Sequence, residues 1–209
     1  MIFAVDARAQ TVAPLTIGQV IRRVRAAYAV GGFAADFTQT DTARSNGITR
    51  TTSGRVVLAN GKSDWEYAAP SKLRIVSDTA NVCTYDPTTH TLSMGPVGNS
   101  WLAQLLPFFT GPNTTSNLTL MKPFLGGYVI EARPATTPTA PTTLIYIDAT
   151  TFEIRRVIVL DPPSNRYQLD FTRTQHNITP TPSQFTIHPP PNTTFQGPTN
   201  QTALPATCP

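Results

Sequence analysis

The chain has 209 residues, 40% of them hydrophobic, and a formal net charge of +4 carried by 13 arginines and 3 lysines. The arginines are scattered without interleaved aromatics, which argues against a nucleic-acid partner. No run approaches the roughly 20 apolar residues of a membrane-spanning helix. A length of this order holds one large β domain or two small ones, and a single domain over 10–195 is the simpler expectation.

Residues 1–9 end in Ala7-Arg8-Ala9, the small-x-small pattern of a signal-peptidase site, and read as an export-signal remnant or as an irregular start. The first periodic element is a helix. Ile17, Val20, Ile21, Val24 and Tyr28 recur at helical spacing, Thr16 can cap the start, and Gly31-Gly32 stops it. Arg22, Arg23 and Arg25 read as its wet face.

Period two follows. Phe33, Ala35, Phe37 and Gln39 alternate with small or polar residues, and Val56 and Leu58 lead into Asn60-Gly61, a strong hairpin signal. Trp65 and Tyr67 come next, with Asp64 and Glu66 flanking Trp65 on the opposite, solvent-facing side. Pro70 breaks the run before Leu73–Val76; Val82–Tyr85 ends at the turn Asp86-Pro87, and Thr91–Met94 is the next strand.

The alternation lapses at "SWLAQLLPFFTG", where Trp101, Leu102, Leu105, Leu106, Phe108 and Phe109 fall within nine residues around Pro107. Such a segment predicts a short helix or turn pressed against an apolar surface. Strands resume at Leu118–Met121, Tyr128–Ala132 and Leu144–Asp148. They continue through "TFEIRRVIVLD" and "NRYQLDFTRT", where Tyr167, Leu169 and Phe171 alternate with polar residues. A last short strand is expected at Gln184–Ile187, and 196–209 reads as an irregular C-terminal tail. Hairpin-connected strands of this kind make an antiparallel sheet.

Residues that carry chemistry are sparse. His90, His176 and His188 have no metal-ligand partner at i+3 or i+4, and there is no nucleophile elbow, phosphate loop or Cys-x-x-Cys. No catalytic residue, metal or cofactor is expected, and the chain does not read as an enzyme. Five Asn-x-Thr sequons are what a threonine-rich chain gives by chance. Cys83 and Cys208 carry no spacing signature. In an oxidising compartment they could form a disulfide; otherwise they are a buried thiol and a free thiol on a loose tail.

Gly54, Trp65, Pro70, "IVSD" at Ile75–Asp78 and "YDP" at Tyr85–Pro87 occur in an order that, with "FTQT" at Phe37–Thr40 after an amphipathic first helix, resembles the bacterial periplasmic lipoprotein carriers of the LolA family. "IDATTFEIRRVIVLD", "NRYQLDF" and "FTIHPPPNT" resemble that family's closing strands, so the similarity runs from about Leu15 to Thr194. The resemblance implies a mainly β fold, an unclosed antiparallel barrel or half-barrel of the LolA/LolB kind, its concave apolar face covered by a short helical lid. It implies a monomeric carrier that takes acylated lipoprotein or lipid cargo from an inner-membrane ATP-driven exporter to an outer-membrane receptor of the same fold. The cavity or its lid would then be lined by Val20, Ile21, Val24, Val56, Leu58, Trp65, Tyr67, Leu73 and Ile75, with Trp101, Leu102, Leu105, Leu106, Phe108 and Phe109. One departure stands out: Ala59-Asn60-Gly61-Lys62 occupies the place where many members carry an Arg-Pro pair that clasps the lid. Two alternatives therefore stay open, a carrier of another lipid or glycolipid with its own exporter and an acyl-sensing regulatory module.

Overall fold

The computed structural model describes residues 15–29, 31–97, 116–134, 141–161, 165–198, 203 and 205–209. The Trp101–Phe109 segment expected to form part of the lid lies outside them. Helix α1, Ile17–Tyr28, begins with a reciprocal capping box. The Gln19 backbone N–H donates to Thr16 Oγ1 at 3.3 Å, and the Thr16 N–H donates to Gln19 Oε1 at 2.7 Å. Two donors that a helix start leaves orphaned are thereby satisfied.

Twelve strands follow: β1 Gly32–Thr42, β2 Thr49–Ala59, β3 Lys62–Tyr67, β4 Arg74–Ser77, β5 Asn81–Asp86, β6 Thr91–Pro96, β7 Ser116–Leu120, β8 Gly127–Pro134, β9 Thr142–Asp148, β10 Ile154–Leu160, β11 Arg166–Ile178 and β12 Thr194–Gln196. They form one sheet in the order β12-β6-β5-β4-β3-β2-β1-β11-β10-β9-β8-β7, open at β12 and β7 and not closed into a barrel. All neighbours are antiparallel except β12, which runs parallel to β6. Chain closure happens in the middle, where β1 pairs with β11 from Gly32↔Ile178 to Thr42↔Arg166.

Register follows from turn chemistry. Asn60 and Gly61 have φ of 52° and 77° and join β2 to β3 with Ala59 opposite Lys62, the mirror-image two-residue turn that the pair predicts. That register puts Val56 opposite Trp65 and Val57 opposite Asp64, so the two faces of the sheet are fixed by one dipeptide.

Each face has its own cover. The inner face carries the main apolar cluster, which includes Phe33, Phe37, Val56, Trp65, Ile130, Ile145, Val157, Leu169 and Phe171, with Val20, Val24 and Tyr28 of α1 packed onto it. The outer face of the β3–β6 half is covered by the C-terminal segment. Val76, Cys83 and Leu92 pack there with Ile187 and Cys208, and Phe185 packs beside them on Ala34 and Val57. Cys83 and Cys208 are disulfide-bonded with their Cα atoms 6.1 Å apart, and Ile187 pairs with Cys208 through backbone hydrogen bonds of 3.0 Å in each direction.

Two sequence expectations are corrected here. The strand expected at Gln184–Ile187 is instead a 3-10 turn, Pro182–Phe185, because Pro182 sits where a helical first turn accepts proline and Thr186 folds back to donate to the Ser183 carbonyl. The last strand is Thr194–Gln196. Asp64 does not face solvent: it is 1% exposed beneath that turn. Arg74 Nε donates to Asp64 Oδ1 at 3.0 Å and Gln184 Nε2 to Oδ2 at 2.6 Å, while Arg74 Nη2 reaches the Gln184 carbonyl at 2.7 Å. Alternation placed Asp64 opposite Trp65 correctly; what it could not show is that this second face is also covered. Glu66 is exposed, as expected.

Candidate functional site

The inner face is the one surface where apolar side chains from most of the strands converge. Its centre is an aromatic group. Phe37 meets Trp65 edge-on at 5.4 Å and Tyr67 at 5.0 Å, and Trp65 tilts against Phe171 at 6.2 Å. Phe37 can lie across β2 because Gly54 is opposite it. A Cβ at Gly54 would stand 2.2 Å from the Glu66 carbonyl oxygen and 2.6 Å from Phe37 Cζ. Trp65 is fully buried, and its indole N–H is satisfied by Ser63 Oγ at 3.1 Å, itself 2.6 Å from Ser77 Oγ. A polar handle inside an apolar face is thus fully paired.

Toward one end the face turns polar. Tyr67 donates to Gln39 Oε1 at 2.6 Å, and Gln39 Nε2 donates to both oxygens of Asp41 at 2.9 and 3.1 Å. Burial, reinforced by the Asp41 charge, pushes the Tyr67 phenol far above its ordinary range, so it remains a hydrogen-bond donor at every physiological pH.

Helix α1 closes the other end. Val20 and Val24 are completely buried on the cluster. Tyr28 packs edge-on against Phe33 at 4.9 Å, and its hydroxyl accepts the Ile154 N–H at 2.8 Å. Arg23 is not simply wet: its guanidinium carbon lies 5.0 Å above the Phe152 ring, which stacks on Tyr128 at 5.7 Å. His176 touches the rings of both Tyr28 and Phe33 and pairs through Nε2 with Glu153 Oε1 at 2.7 Å, a role in packing where Tyr28 and Phe33 meet.

The structure places the sequence-predicted residues as follows. Val20, Val24, Val56, Leu58 and Trp65 are buried together in the inner cluster, and Ile21, Tyr67 and Ile75 are half-buried against it. Leu73 is half-buried but is not part of that cluster. Trp101, Leu102, Leu105, Leu106, Phe108 and Phe109 lie outside the described residues. Sequence reasoning named no cavity residue from β8 to β11, although Ile130, Ile145, Val157, Leu169 and Phe171 make up much of the face. Their signal was the alternation itself, visible in Tyr167-Leu169-Phe171. Among the described residues no three His, Cys, Asp or Glu side chains gather at metal-binding distance, and no helix is long and apolar enough to cross a membrane.

The arrangement is a broad apolar sheet face with α1 packed onto part of it.

Comparison with solved structures gives the same architecture at low identity. An uncharacterized conserved protein from Thermus thermophilus superposes with a TM-score of 0.56 at 13% identity, covering 87% of this chain and 98% of its own. A DUF1329 family protein from Desulfovibrio piger gives 0.50 at 9%, covering 79% and 94%. A LolA superfamily protein from Nitrosomonas europaea gives 0.46 at 10%, covering 80% and 96%. At such identities the likeness to the first two is one of fold alone. No curated protein matches the chain. The family model described as "Outer membrane lipoprotein carrier protein LolA" matches residues 29–188, from the end of α1 through the 3-10 turn. With most of its length so matched, the chain belongs to the LolA family, whose fold is that of a carrier.

Proposed function

We propose that this protein is a periplasmic carrier that holds the acyl chains of a lipoprotein on the inner face of its sheet and shuttles them between the inner and outer membranes. The single observation that carries the reading is the continuity of that face: one apolar surface from Ile75 on β4 across to Leu118 on β7, covered among the described residues by one short helix. The buried disulfide suits an oxidising compartment outside the cytoplasm.

Magnitudes favour exchange of cover for cargo. Lifting α1 would expose Val20, Val24 and Tyr28, at about 1.5–3 kcal/mol for each large side chain. An acyl chain of about sixteen carbons buries methylenes at ~0.8 kcal/mol each, which gives on the order of 13 kcal/mol. One acyl chain therefore outweighs the helix it displaces. The margin is small enough that a receptor of similar design can take the cargo back. On this reading Val20, Ile21 and Val24 form the movable cover and Val56, Leu58, Trp65, Tyr67 and Ile75 the floor. The partners are an inner-membrane ATP-driven exporter and an outer-membrane receptor.

A second reading, carriage of another lipid or glycolipid, is favoured by one observation. Residues Ala59–Lys62, where the family's lid-clasping Arg-Pro pair is expected, form a tight two-residue turn. Thermal denaturation with a triacylated peptide, its unacylated form and a glycolipid separates the two. The proposal expects a rise in Tm with the acylated peptide alone. A rise with the glycolipid alone selects the second reading, and no shift with either refutes both.

A further inference from the structure

The hairpin joining β7 to β8 ends in a turn that is built against its own backbone preference. Phe124 and Gly127 exchange backbone hydrogen bonds of 3.2 and 3.1 Å, leaving Leu125 and Gly126 as the two central residues with φ of 50° and 73°. Asn60-Gly61 makes the same kind of turn with the residue that tolerates a left-handed backbone. Leu125 takes that position with a bulky side chain, a conformation that costs free energy and is sparsely populated by such residues. Leu125 itself is 86% exposed and Met121 42%, while Phe124, 54% exposed, meets Tyr146 edge-on with ring centroids 6.1 Å apart. Leu125 thus combines a disfavoured backbone with an exposed apolar side chain.

We propose that the Met121–Gly126 tip is a membrane-docking element that inserts Phe124 and Leu125 into the interfacial region of a phospholipid bilayer. Apolar side chains held out at a hairpin apex suit a fluid surface. Lys122 lies beside the apolar pair, and the chain carries a net charge of +4, which favours an anionic lipid surface. Behind the apex, Arg155 lies near Asp148 and Glu153, and Arg156 is paired with Asp170, so the apolar side chains supply the binding and Lys122 the orientation. Strand β7 also connects the tip to the inner face, because its Leu118 and Leu120 pack on the inner cluster at the open edge of the sheet.

Flotation of the full chain with vesicles of phosphatidylethanolamine and phosphatidylglycerol tests the tip. The wild type is expected to co-float. Leu125→Asn, which suits the left-handed turn, is expected to lower vesicle partition about tenfold or more, the worth of one buried leucine. The same variant is expected to match or exceed the wild-type Tm and to bind acylated peptide in solution unchanged. A wild type that stays in the aqueous fraction, or a variant that floats equally well, overturns the proposal. Flotation only with vesicles that carry membrane protein overturns it too, since that is the behaviour of a protein-docking knob.

Discussion

Gly54 has no room for a methyl group, and that single restriction holds the aromatic centre of the inner face together. Gly54→Ala forces a Cβ toward the Glu66 carbonyl and the Phe37 ring; chemical denaturation is expected to show a loss of about 2–4 kcal/mol. A variant of unchanged stability would mean that Phe37 does not lie across β2. Asp64 is a second decisive residue. Asp64→Asn removes the charge that Arg74 and Gln184 converge on, with an expected cost of about 1.5–3 kcal/mol. Asp148 works through turn amides. Its carboxylate accepts the Thr151 and Thr150 N–H groups, and these bonds hold its pKa below the ordinary value. A group depressed in the folded state stabilises above its unfolded pKa and loses that contribution as pH falls through the folded value. Asp148→Asn is therefore expected to flatten the acid limb of the stability–pH curve while changing little of its shape at neutral pH. An acid limb as steep as the wild type's would assign that pH dependence to other carboxylates.

At the scale of elements, local chemistry was readable and long-range covering was not. Helix α1 showed its capping residue and its apolar stripe, and the Asn60-Gly61 hairpin fixed a register that the structure reproduces, because both depend on residues close in sequence. The outer cover depends on Cys208 meeting Cys83 across 125 residues and on a parallel strand whose three residues carry no pattern. A clue did exist: Leu73–Val76 and Val82–Tyr85 are not cleanly alternating, as expected of strands buried on both faces. Asp64 was misread for the same reason, since alternation assigns a face and says nothing of what lies over it. The double variant Cys83→Ser, Cys208→Ser is expected to lose about 3–5 kcal/mol, the worth of closing a loop this long. Its amide exchange should rise first in β5 and β6, where Leu92 would lose its cover. Uniform exchange in those strands would show that the tail contributes little there.

For the whole molecule, the open sheet is the feature that matters. A closed barrel would fix its interior volume, whereas a sheet open at β12 and β7 with a short helix on its inner side suits the exchange of helix for cargo that we propose. The LolA-like order of motifs made this architecture legible from sequence; the extent of the face did not emerge, because β8–β11 alternate with few aromatic landmarks before Tyr167. Trp65→Asp places a charge at the centre of the floor and is expected to abolish uptake of acylated peptide. Isothermal titration that still detects saturable binding by a folded Trp65→Asp variant would remove Trp65 from the site.

Trp65 also supplies the most direct measurement of where cargo lies. It is one of two tryptophans in the chain, so replacing Trp101 with Phe leaves a single fluorophore in the middle of the inner face. Titration with a peptide whose acyl chains carry bromine should quench that fluorescence saturably, while the unbrominated peptide binds without quenching. Tight binding of the brominated peptide with Trp65 emission unchanged would place the hydrocarbon elsewhere and contradict the carrier account.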